Sequence, residues 1–90
     1  MSALTPDQLR DLGAAHVAAI QGERTAFTAT QQAFARAHHA LDDANWPTPE
    51  ERSPEVVAAI QAKTQARADY IGALNHRNLL SELAVQEGLL

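Results

Sequence analysis

Cysteine is absent from the chain, so disulfides and thiolate metal sites are excluded, and a reducing compartment fits. Aromatic residues are nearly absent too: Phe27, Phe34, Trp46 and Tyr70 are the full set. No apolar run approaches the ~20 residues that a membrane-spanning helix requires. The N-terminus lacks the basic-then-apolar pattern of a signal peptide, and a cytoplasmic protein is expected. A basic stripe is also missing. Arg10, Arg24, Arg36, Arg52, Lys63, Arg67 and Arg77 are scattered among carboxylates, and the net charge is −4. Nucleic-acid binding, as a helical hairpin dimer, is therefore only the third-ranked function. No Gly-x-Ser-x-Gly elbow is present, and Gly13, Gly22, Gly72 and Gly88 form no phosphate loop. With no catalytic constellation and no cofactor motif, the chain reads as non-enzymatic.

Proline is confined to two places. Pro6 follows Thr5, a helix cap completed by Gln8. Pro47, Pro49 and Pro54 fall in one break, with alanine-rich stretches on either side. Proline removes a backbone donor and clashes with the preceding turn, so helices stop here and restart. The spacing predicts one domain over residues 1–90, with helix one at about 6–43, a Pro-rich turn at 44–53 and helix two at about 54–87. Ser53 caps the second helix and Gly88 stops it. The fold class is all-α, two long antiparallel helices forming a helical hairpin.

What the chain has in quantity is alanine, 19 of its 90 residues. Alanine favours helix but fills a core poorly, and a small chain with a thin core recruits partners. Self-association into a two-fold four-helix bundle is the expected assembly. Heptad spacing suggests the seams. In helix one, Ile20, Phe27, Phe34 and Leu41 alternate with Leu9, His16, Glu23, Thr30 and Ala37. In helix two, Val57, Thr64, Ile71, Asn78 and Val85 alternate with Ile60, Arg67, Leu74 and Ser81. Antiparallel pairing then sets Leu41 on Ile60, Phe34 on Arg67, Thr30 on Ile71 and Phe27 on Leu74. Toward the open end, Glu23 meets Asn78, Ile20 meets Ser81 and His16 meets Val85.

His16, Glu23, Arg67 and Asn78 are thus the expected polar residues of the seam. Such residues fix register at a cost in stability, and for Glu23 the candidate partners are Asn78, Arg77 or a symmetry-related His16. Leu79, Leu80 and Leu83 lie off the helix-two stripe and are expected to bind a partner protein. Trp46, in the break, is either a plug for the hairpin end or an aromatic anchor. The pairs His38–Asp42 and His39–Asp43 share helix faces at i, i+4 but supply only two metal corners each.

Two helices with a tryptophan in the turn resemble the small secreted Trp-x-Gly hairpin proteins in outline. Thr48 stands where that motif has glycine, and Leu74 stands where its export signal has an acid four residues after the tyrosine (here Tyr70). The resemblance is architectural, and no family follows from it. The function expected is a non-enzymatic protein–protein interaction module: an adaptor, assembly factor or inhibitor. The competing class is a metal- or ligand-binding bundle using His16, Glu23 and His38.

Overall fold

The computed structural model describes residues 3–90, and its elements are α1 (Pro6–Asp43), a 3-10 turn (Pro49–Glu51) and α2 (Pro54–Gln86). α1 begins as the sequence indicates. The Thr5 hydroxyl accepts from the Gln8 amide at 3.2 Å, and the Gln8 side chain accepts from the Thr5 amide at 2.9 Å. The Ser53 hydroxyl accepts from the Val56 amide at the start of α2. Each cap satisfies amides that the first helical turn leaves unpaired.

Both helices end in the same backbone device. The Trp46 amide donates to the Leu41 carbonyl at 2.8 Å, and the Asn45 amide donates to Asp42 at 3.0 Å. Leu89 donates to Ala84 at 2.8 Å and Gly88 to Val85 at 3.1 Å, repeating the pattern at the end of α2. This double closure needs a left-handed residue, supplied by Asn45 (φ 59°) and Gly88 (φ 77°). Trp46 is also left-handed, at φ 50°, which is unusual for a bulky side chain.

The helices fold into an antiparallel hairpin measuring 62 × 17 × 16 Å. The seam differs from the one the spacing predicts. Half-buried and buried residues of α1 run Leu9, Leu12, His16, Ala19, Glu23, Ala26, Thr30, Ala33, Ala37, Ala40, with Gly13, Ile20 and Leu41 half-buried along the edge of that stripe. On α2 and its C-cap they run Val56, Ala59, Lys63, Ala66, Tyr70, Ala73, Arg77, Leu80, Ala84, Glu87, with Ile60, Leu74 and Ser81 half-buried along the edge. The His16–Ala37 row of α1 is as expected, but its companions are alanines one residue before Ile20, Phe27 and Phe34. The centre of the α2 seam is turned by one residue, which leaves the expected row Val57, Thr64, Ile71, Asn78 and Val85 exposed. Ile60, Leu74 and Ser81 of the companion row stay half-buried, and Arg67 is exposed.

Register shifts as well. Phe34 meets Lys63 rather than Arg67, Phe27 meets Tyr70 rather than Leu74, and His16 meets Ser81 rather than Val85. Each partner lies four residues, one helical turn, earlier on α2. The physical reason is size. Seven-residue rows of alanine let two backbones approach, whereas phenylalanines in the seam would hold them apart. Among the described residues only Ala19, Ala37, Val56 and Ala84 are buried. Thr30 adds one polar tie, its hydroxyl lying 2.8 Å from its own Ala26 carbonyl and 3.1 Å from that of Ala66 on α2.

Ala37, at 2% exposure, marks the tightest point on α1. Ala37→Leu is expected to wedge the helices and cost about 1–3 kcal/mol, the usual range for overpacking. Ala35→Leu, on the exposed side of the same turn, is expected to leave the thermal midpoint unchanged. Equal midpoints for the two variants would refute an alanine seam.

Candidate functional site

Two polar pairs cross the seam. The Glu23 carboxylate lies 2.6 Å from Arg77 Nε, with side-chain exposures of 19% and 32%. The Nε–H is not aligned on the carboxylate, so the contact is a close ion pair rather than a well-directed hydrogen bond. Two turns earlier on α1 and one turn later on α2, His16 Nε2 is 2.8 Å from the Ser81 hydroxyl. Glu23 therefore pairs with Arg77, one of its three candidate partners, and not with Asn78, its place in the expected register. Arg67 and Asn78 are exposed and off the seam, because the turn of α2 carries both outward.

The large side chains at the edge of the seam, half-buried at Ile20, Leu41, Ile60 and Leu74 and exposed at Phe27 and Phe34, share one side of the hairpin. The row Ile20, Phe27, Phe34, Leu41 lies beside the His16–Glu23–Thr30–Ala37 seam row on α1. The row Ile60, Arg67, Leu74, Ser81 lies beside Val56–Lys63–Tyr70–Arg77 on α2. The contacts bring these rows to the same side of the antiparallel pair. Phe27 meets Tyr70 with ring centroids 5.5 Å apart, the Lys63 ammonium lies 5.3 Å from the Phe34 centroid, and His16 reaches Ser81. Phe27 and Phe34 remain 47% and 42% exposed. Val57 and Ile71 extend the face along the flank of α2.

Two open hollows lie on this face, one beside each phenylalanine. The larger, about 400 Å³, is lined by Glu23, Arg24, Phe27, Thr28 and Tyr70. The smaller, about 150 Å³, is lined by Phe34, Ala37, His38, Leu41, Trp46 and Lys63. The opposite side carries Ala15, Gly22, Ala29 and Arg36 of α1 with Glu55, Ala62, Asp69 and His76 of α2. Leu83 is its one large apolar residue in those rows, with Leu79 one turn earlier.

The expected leucine cluster is therefore divided. Leu79 and Leu83 are exposed, whereas Leu80 turns into the seam and is half-buried. Trp46 is 55% exposed and folded back on α1. Its indole Nε1–H donates to Asp42 at 2.5 Å, and its ring meets His38 edge-on at 5.2 Å. Asp42 also lies 3.3 Å from His38 Nδ1, and Asp43 lies 3.3 Å from His39 Nε2. His16, Glu23 and His38 thus each have a separate partner, Ser81, Arg77 and Asp42. Among the described residues no three histidine or carboxylate side chains converge as a metal site would require. None of the described helices is long and apolar enough to cross a membrane.

Sequence reasoning missed Tyr70, Lys63 and Leu80 as seam residues. The signal was present in the unbroken heptads of alanine at 19, 26, 33 and 40 and at 59, 66 and 73. Comparison of the chain with known protein families, curated proteins and solved structures finds no match.

A partly buried ion pair recovers its desolvation cost poorly, while removing one partner strands the other. Replacing Glu23 and Arg77 together by leucine is expected to raise stability by roughly 1–4 kcal/mol, the range for such replacements. Glu23→Ala alone is expected to lower it. Chemical denaturation of both variants checks the signs, and a stabilising Glu23→Ala would contradict the pairing.

Proposed function

We propose that the protein is a non-enzymatic protein–protein interaction module whose fold is completed by association. One observation carries this reading. Among the described residues the hairpin buries three alanines and a valine, while Phe27, Phe34, Ile71, Leu79 and Leu83 stand at least 37% exposed. Folded chains of this size gain their stability from large apolar side chains taken out of water. Here those side chains lie on the outside of the pair, where only another surface can cover them.

Association has two faces to use. The broad apolar side, with Phe27 and Phe34, runs along the middle of the hairpin. Leu79 and Leu83 form a smaller patch on the other side, near the open end, and are the residues proposed to contact a protein of different sequence. Trp46 is proposed to serve the hairpin end rather than a partner, since Asp42 and His38 already hold its indole. The adaptor, assembly-factor and inhibitor roles all use such a module.

Thermal melts between micromolar and millimolar chain test the reading. Coupling of folding to self-association makes the midpoint concentration-dependent, so it is expected to rise by several degrees across that range. A midpoint independent of concentration, in a chain that sediments as a monomer, would count against it.

A further inference from the structure

We infer that the row Ile20, Phe27, Phe34, Leu41 is a self-recognition face, pairing antiparallel with the same row of a second copy. The two-fold axis passes between Phe27 and Phe34. This rests on the reading of the chain as an association module and adds to it the occupant and the geometry.

The row itself is symmetric. It reads aliphatic, aromatic, aromatic, aliphatic at seven-residue steps. A two-fold axis at its midpoint sets Phe27 against Phe34 and Ile20 against Leu41, and the reverse pairs follow automatically. A hollow lies beside each phenylalanine, about 400 Å³ at Phe27 and about 150 Å³ at Phe34, so both rings have open space next to them on the side that a second copy would cover. On α2, Ile60 and Leu74 lie symmetrically about Arg67, at the level of the Phe27–Phe34 midpoint.

Area supports a second copy. One side of a hairpin 62 Å long and 17 Å wide offers a footprint of about 1,000 Å², against the roughly 800 Å² per partner of a standard interface. The segment from Ile20 to Leu41, about 32 Å at 1.5 Å per residue, supplies its apolar centre. Arg67 is the charge that lies at the level of the axis. Across this axis it faces its own counterpart, a like-charge contact that weakens the dimer.

The test combines size-exclusion chromatography with light scattering and cysteine cross-linking. The unmodified chain is expected to be a dimer. Phe27→Asp is expected to weaken association at least a hundredfold and Arg67→Leu to tighten it severalfold. Gln31, exposed and beside the axis, places its Cβ near that of its own counterpart, so Q31C is expected to form a symmetric intermolecular disulfide on oxidation. I20C mixed with L41C is expected to cross-link as a heterodimer. The Gln31 and mixed-pair experiments do not require an acidic variant to fold.

A Phe27→Asp dimer of unchanged affinity, or no cross-link from Q31C in a dimeric chain, would overturn this geometry. If Leu79→Glu or Leu83→Glu abolished that dimer instead, the interaction reading would stand with the other face as its interface. An unmodified chain that stays monomeric with a concentration-independent melt would overturn both.

Discussion

The distance between two packed helices is set by the side chains that must fit between them, and at nearly half of the positions along this seam that side chain is a methyl group. Ala19, Ala26, Ala33, Ala37 and Ala40 face a seam that includes Ala59, Ala66, Ala73 and Ala84. Close approach favours backbone-near contacts such as the Thr30 hydroxyl on the Ala66 carbonyl. It also leaves no room for phenylalanine. The rings of Phe27 and Phe34 move to the side of the pair, where they touch Tyr70 and Lys63 and remain half-exposed. The thin core and the apolar outer face are thus one consequence of one choice of residue.

The same constraint orders the polar groups. A seam lined by alanine has space at its edges for long side chains, and Lys63, Arg77 and Glu23 lie along it with their stems on the helices. The Glu23–Arg77 contact then ties the seam near its middle, and His16–Ser81 ties the half toward the open end, where no proline break closes the chain. At the closed end the work is done by backbone closure around Asn45 and by Trp46, tied to Asp42 and His38.

Helix positions were legible in the residues because they depend on local chemistry. Thr5-Pro6-Asp7-Gln8, the proline break and Gly88 specify caps and stops through backbone bonds that involve only neighbours. The seam was less legible. A search for large apolar residues at heptad spacing finds Phe27 and Phe34, since burial normally follows size. The contest between close approach by alanine and volume filling by phenylalanine is decided only when both helices are present. Arg67 and Asn78 followed that misplacement outward, and Leu80 followed it inward. Of the candidate site residues, Leu79 and Leu83 are exposed as the wheel indicated, while the Phe27–Phe34 face was hidden by its assignment to the core.

An account in which the large apolar side chains lie outside an alanine seam requires that a second surface cover them. Sedimentation equilibrium of the unmodified chain tests this most directly. The prediction is a mass twice the 9.7 kDa of one chain at micromolar concentration. A fully helical species of single-chain mass up to millimolar concentration would contradict it.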